Sequence, residues 1–312
     1  MNVQKISKLS IKDIAIAGGK GASLAEMLRM GTSVPSAFVV LSSAFDLFLS
    51  ENSLLNKIND LLQNVKYDDN NSLNKASKAI KKHILGAKFS EILQNEIVAM
   101  FKEMNFELIA VRSSATAEDS LDASWAGELE SYLNVCEKDL FENIKKCWSS
   151  LYTPRAIYYR KEQNLLNSKI SVAVVIQEMI NPEVSGITFT VNPVTKDKNQ
   201  CIIEAGYGLG EAIVSGSITP DSYIVDKKST TILSKNISTQ NQEIIYCENE
   251  GIKWTSVVKE KQNIQKLNDE QILELTQICL KIEKHYRKPQ DIEWALKDNK
   301  FYILQSRPIT TL

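Results

Sequence analysis

AVRSSATAEDS, residues 110–120, is the stretch on which the reading turns. An apolar run, Leu108 to Val111, ends abruptly in Arg112. Three small hydroxyl residues follow, Ser113, Ser114 and Thr116, and then an acidic pair, Glu118 and Asp119. The apolar run predicts a buried strand. Arg112 offers a planar fork for phosphate oxygens, and the hydroxyls and backbone N–H groups around it can add donors. A serine-rich turn that caps its own backbone would account for the serines. It would not account for an arginine directly after a buried strand. The next segment, ASWAGELESYLNV, adds Gly127, where a backbone can approach a ligand closely.

Outward from this stretch, GGKG (residues 18–21) frees the backbone, supplies Lys20 as a point charge and precedes a helix with Leu24, Met27 and Leu28 at helical spacing. As a bare tetrapeptide it is also compatible with an ordinary glycine turn. VPSAFVVLSSAFDLFL predicts a strand and then a helix with Ser43 as N-cap. Residues 51–105 predict a helical insert interrupted by an exposed YDDNNS loop. From Asp139 to Arg160, Leu140, Phe141, Ile144, Trp148, Leu151 and Tyr152 share one helical face. SVAVVIQEMI (residues 171–180) predicts a buried strand.

The character changes near Pro182. Short strand-like runs follow, separated by Gly, Asn and Asp, with a hairpin turn in CENEGIKW. In EAGYGLGEAIV, Gly206, Gly208 and Gly210 precede an apolar run, flanked by Glu204 and Glu211, which could hold a cation or a ribose. Asn268 predicts the cap of a helix with Ile272, Leu275, Cys279 and Ile282 inward. DIEWALKDNKFYILQS predicts two strands joined at Asp298–Asn299. Asp291 and Glu293 then face one side of a strand, and Gln305 and Arg307 share a face of the next. If the strands pair, hard oxygen ligands for Mg²⁺ sit beside a phosphate-binding cation; an isolated hairpin with a polar outer face and one salt bridge would show the same residues. The chain thus divides into an α/β part, residues 1–181, and an α+β part, residues 182–312.

A chain of 312 residues with 43% hydrophobic content can bury two such cores. A net charge of −1 gives no global electrostatic case for nucleic acid or an anionic membrane. No apolar stretch reaches the roughly 20 residues of a membrane span, and the first residues read as lacking a signal peptide. Five scattered cysteines without a CxxC pair predict free thiols in a cytoplasmic protein rather than a zinc site.

Taken in order, GGKG, VRSSATAED, SWAG, VVIQEM, GITFT, GLGE, DIEW and QSRP resemble the nucleotide-binding domain shared by phosphoenolpyruvate synthase, pyruvate phosphate dikinase and rifampin phosphotransferase. The resemblance runs from GGKG to QSRPITTL. The tract KPQDIEWALKDNKFYILQSRPITTL looks at least as close to the rifampin phosphotransferase branch as to the synthases. The resemblance implies an ATP-grasp fold, two lobes with the nucleotide between them. Carried over by motif, Lys20 and Arg112 would hold ATP phosphates and Gly127 would lie near the nucleotide. Ser131, where relatives can carry threonine, would keep a hydroxyl there, and Gln177 would sit at the adenine hinge. Glu293 and Gln305, with Asp291 beside them, would position Mg²⁺ and phosphate, and Arg307 would stabilise charge on the transferring group.

In this family ATP phosphorylates a histidine on a separate swivelling domain, AMP leaves, and the phosphohistidine serves an acceptor-binding domain. Neither histidine here, His83 in KKHILG or His285 in KHYRKPQ, lies in a motif like that loop. The chain is therefore expected to bind ATP and to depend on partner domains, in one longer protein or a second subunit, to complete transfer. Phosphoenolpyruvate synthase is the leading expectation, with rifampin phosphotransferase, a regulatory nucleotide-binding subunit and an acyl-phosphate-forming ligase as alternatives. Arg307→Ala is expected to abolish transfer and leave the fold intact.

Overall fold

The computed structural model describes residues 1–116, 130–163, 165, 170–247 and 251–310. The chain divides into two units, residues 1–26 with 36–179, and residues 27–35 with 180–312. Both mix helices and sheet, and among the described residues every strand pairing is antiparallel.

The first unit contains β1 (Val3–Lys5), α1 (Ile14–Arg29) as far as Glu26, β2 (Ala37–Val40), α2 (Ser42–Glu51), α3 (Leu54–Gln63), α4 (Asn70–Gly86), α5 (Glu91–Met104), β3 (Ile109–Ala115), β4 (Ser131–Val135), α6 (Leu140–Ser150), α7 (Pro154–Glu162) and β5 (Val172–Glu178). Its sheet runs β1-β2-β5-β3-β4. Side chains alternate across such a sheet. One set, including Phe38, Val40, Ile109, Val111, Val174 and Ile176, joins the helical core. At its centre Trp148 packs Phe45, Phe48 and Phe89 with ring centroids 5.3, 4.9 and 5.3 Å away. Truncating a fully buried tryptophan of this kind costs about 3–5 kcal/mol.

Three local expectations change. The segment expected as one helix from Asp139 to Arg160 is two. Thr153 accepts from the Ala156 N–H and Pro154 stands at the first helical position, so the chain restarts a helix there. Ser43 is not an N-cap: α2 begins at Ser42 after Leu41, without a side-chain cap. YDDNNS is only partly loop, because Asp69 caps α4 by accepting from the Asn71 N–H at 2.9 Å.

The second unit contains β6 (Val184–Phe189), β7 (Gln200–Tyr207), α8 (Glu211–Val214), β8 (Asp221–Asp226), β9 (Thr231–Asn236), β10 (Gln242–Cys247), β11 (Gly251–Ser256), α9 (Asp269–Tyr286), β12 (Gln290–Lys297) and β13 (Lys300–Pro308). Six strands form the sheet β13-β12-β6-β7-β8-β9, and β10 and β11 form a separate hairpin. Asn268 caps α9 and Ile272, Leu275, Cys279 and Ile282 are buried, as the sequence predicts; Gln271 completes a reciprocal capping box with Asn268. Asp298 and Asn299 both adopt positive φ, 49° and 57°, which matches the tight turn between β12 and β13. All five cysteines are free. No helix among the described residues is long and apolar enough to cross a membrane.

Candidate functional site

In the first unit, Ala110, Arg112 and Ser114 face away from the helical core, because alternate residues Ile109 and Val111 enter it. The register sets Arg112 opposite Val175 on β5 and Ser131 on β4, and Ala110 opposite Gln177. Gln177 also lies opposite Ala37 on β2. Arg112 and Gln177 are therefore on one face, 8% and 2% exposed. A charge buried to that degree is retained only with compensation. Ser131 is exposed on the edge strand. Gly127, Glu118 and Asp119 lie outside the described residues.

The GGKG turn lies against this same face. Gly21 approaches Val39 and Val175. Gly18, with φ 70° and ψ 173°, breaks the helical path inside α1. Only glycine adopts that backbone without strain. Ser114 holds the turn: its hydroxyl donates to the Ala17 carbonyl at 2.9 Å and accepts from the Gly21 N–H at 3.1 Å. Lys20, half-buried, projects from the segment between those two bonds. Sequence reading named Lys20 and Arg112 and offered the Ser114 hydroxyl as one more donor beside Arg112; in the structure that hydroxyl donates to the glycine turn.

Glu130 was also missed. Its carbonyl accepts from the Ser113 N–H at 3.2 Å and hydroxyl at 2.6 Å, and its carboxylate meets Lys81 at 3.3 Å and the Tyr132 hydroxyl. Burial, then the neighbouring Glu130 carboxylate, pushes the Tyr132 hydroxyl up, so it stays a donor. Beneath β3, burial does the same to the Cys147 thiol, with Glu130 adding to it.

In the second unit the expected strand pairing is present. Asp291 lies opposite Arg307 and Glu293 opposite Gln305. A register shift after Glu293 pairs Trp294 with Ile303, leaving Leu304 as an extra residue on β13. This bulge lets Ile303 enter the core, 1% exposed, while Gln305, two residues on, shares the opposite face with Glu293. Across β6 the same row continues through Ile187 to Glu204.

Arg307 donates to one oxygen of Asp291, Oδ2, from Nε at 2.9 Å and from a terminal nitrogen at 2.7 Å. Burial nevertheless raises the Asp291 carboxyl above the ordinary range; Arg307 opposes this, and Glu293 adds to it. Glu204 is raised by burial and then by Asp291. The face thus holds three carboxylates in one field with one guanidinium. No cluster of three His, Cys, Asp or Glu among the described residues has metal-binding geometry. Glu293 and Gln305 are two opposed oxygen donors, a set suited to Mg²⁺, which takes one or two protein oxygens and completes its shell with water and phosphate. Asp291, the third residue expected at the metal, accepts from Arg307 through Oδ2.

The glycines of GYGLG pack instead of opening a loop. Gly208, at φ 80°, would place a Cβ 2.4 Å from the Ile244 carbonyl oxygen. His83 and His285 lie in the last turns of α4 and α9.

Residues 14–312 match the family described as "Pyruvate phosphate dikinase, AMP/ATP-binding domain". A probable phosphoenolpyruvate synthase of Methanocaldococcus jannaschii is 44% identical over 98% of this chain and 26% of its own length. The phosphoenolpyruvate synthase of Pyrococcus furiosus is 38% identical over 99% of this chain and 44% of its own. A rifampicin phosphotransferase of Bacillus subtilis is 37% identical over 96% and 35%. The chain thus spans between about a quarter and less than half of these relatives. Among solved structures, D-alanyl-alanine synthetase A from Vibrio cholerae aligns with a TM-score of 0.32 and 9% identity over 93% of this chain and 58% of its own, too weak a likeness to decide the fold. The profile match covers nearly the whole chain, and on that ground the chain belongs to the pyruvate phosphate dikinase AMP/ATP-binding domain family.

Proposed function

We propose that this chain is the ATP-binding part of a dikinase-type phosphotransferase with an ATP-grasp fold. The observation that carries the reading is the Ser114-held GGKG turn on the face of the sheet that presents Arg112. A lysine and a guanidinium on rigid backbone suit a polyphosphate. In the second unit Glu293 and Gln305 would hold Mg²⁺, which supplies charge neutralisation on the phosphates. Arg307 would meet charge on the transferring group, and Asp291 orients its fork. Gln177, an amide on the sheet face of Arg112, suits an adenine edge.

The transfer that fits is from ATP to a histidine carried by a swivelling domain, with AMP leaving. This chain supplies clamps and metal ligands and needs no nucleophile of its own. Pyruvate is the favoured final acceptor, giving phosphoenolpyruvate and phosphate from ATP, pyruvate and water, because identity is higher to the synthase of M. jannaschii than to the rifampicin enzyme, 44% against 37%. We place the activity in the cytoplasm.

The test combines this chain with separately expressed remaining domains of the M. jannaschii relative and follows nucleotide products with pyruvate or rifampicin present. Pyruvate-dependent AMP is expected. AMP that requires rifampicin reassigns the acceptor, and ADP as product overturns the dikinase reading.

A further inference from the structure

Ser114 stands two residues beyond Arg112 on β3, fully buried, with its side chain on the same face. Its one oxygen makes two bonds to a single short segment, donating to the Ala17 carbonyl and accepting from the Gly21 N–H. The residues between are Gly18, Gly19 and Lys20, so both ends of the lysine turn hang on one atom. The contact is tight: a Cβ on Gly18 would come within 2.2 Å of the same oxygen and 2.3 Å of the Ser114 carbonyl oxygen. A buried hydroxyl is retained where both its donor and its acceptor capacity are used. The sheet alone would be satisfied by alanine, as at Ala110 on the same face.

We propose that Ser114 is a positioning residue of the nucleotide site. It fixes the turn carrying Lys20 against the strand carrying Arg112, so that two cations meet the polyphosphate of a nucleoside triphosphate at a set separation. The inference rests on the phosphate-binding reading of Lys20 and Arg112 and names the group that makes them one unit. Without the hydroxyl, the Ala17 carbonyl and Gly21 N–H lose their shared partner and the turn relaxes. Displacements near 1 Å at such clamps cost up to about a hundredfold.

The test is calorimetric titration of the intact chain with Mg·ATP and with AMP, for wild type, Ser114→Ala, Lys20→Met and the double variant, with thermal unfolding alongside. Ser114→Ala is expected to weaken Mg·ATP at least about tenfold, to leave AMP affinity within about twofold, and to add nothing in the Lys20→Met background. Equal losses for ATP and AMP, or full additivity with Lys20→Met, would mark Ser114 as merely structural and overturn the proposal. If the alanine variant does not fold, Ser114→Cys, a weaker donor and acceptor, is held to the same outcomes. A wild-type chain that binds no Mg·ATP overturns the nucleotide reading and this inference together. A binding wild type with an indifferent Ser114 variant overturns the inference alone.

Discussion

Gly18→Ala separates the geometry described here from ordinary helix reasoning by the sign of its effect. Gly18 lies inside α1, and a mid-helix glycine replaced by alanine gains about 0.5–1 kcal/mol. Gly18, however, has φ 70° and ψ 173°. That region costs a side-chain-bearing residue about 1–3 kcal/mol. The new Cβ would also come within 2.2 Å of Ser114 Oγ, 2.3 Å of its carbonyl oxygen and 2.5 Å of its carbonyl carbon. Two of these three atoms are backbone in a central strand, so relief requires moving β3 or the turn, about another 1–3 kcal/mol of overpacking. The net is a loss of about 1–5 kcal/mol. At ~2–4 °C per kcal/mol for a unit of this size, Tm falls by several degrees. Gly86→Ala is the control. It lies at the end of α4 with nothing within 4 Å, so alanine is neutral or stabilising. Differential scanning calorimetry of both variants decides the matter. A Gly18→Ala chain as stable as wild type would refute the Gly18–Ser114 contact and the account of Lys20 built on it.

Four further outcomes follow from the second unit. Gly186→Ala places a Cβ 1.9 Å from the Glu204 carbonyl oxygen and 2.5 Å from the Trp294 ring, so urea midpoints of this unit drop sharply; an unchanged midpoint contradicts the register of β6 and β7. Lys266→Met strips the cation from Asp221, both side chains being wholly buried with Nζ and Oδ1 2.9 Å apart, and costs about 3–5 kcal/mol by chemical denaturation, whereas a loss below about 1 kcal/mol would count against the pair. Glu204 has a raised pKa caused by burial and by Asp291, so its native state binds protons more tightly than the unfolded chain. Its favourable contribution is full below the ordinary glutamate value of about 4.3 and is lost as pH rises through the folded value. Glu204→Gln therefore stabilises at pH 7 by a few tenths of a kcal/mol, with the gain fading below about pH 4; denaturation midpoints at the two pH values check this, and a gain of equal size at both would contradict it. Arg307→Ala leaves the 9% exposed Asp291 without its cation, so a lower Tm accompanies the loss of transfer; Arg307→Lys keeps the charge and removes the fork, and is expected to lose transfer with Tm close to wild type, whereas retained transfer counts against the fork.

Much of this was legible because local chemistry fixes it. Asn268 with Gln271, the Asp298–Asn299 turn and the alternation of Asp291 with Ile292 each demand one local conformation. Thr153-Pro154 carried a readable start signal that the strong apolar stripe of residues 140–152 overrode. Other features arise only in three dimensions. The bulge at Leu304 changes which face follows Ile303 and has no sequence mark. Ser114 looks like any turn serine until β3 meets the glycine turn 93 residues upstream. The glycines of GYGLG look in sequence like a turn beside a cation or ribose site, yet Gly208 is required by the Ile244 carbonyl of a hairpin more than thirty residues later. Inclusion of residues 27–35 with the second unit likewise depends on contacts such as the Ile303 N–H to the Ser33 carbonyl, 2.8 Å.

The most direct test of the central claim is titration of the intact chain with ATP, with and without Mg²⁺. The account predicts saturable binding that needs Mg²⁺, is weakened by Lys20→Met and Glu293→Gln, and consumes no ATP when this chain is alone. Absence of binding, or binding indifferent to Mg²⁺ and to both substitutions, would contradict it.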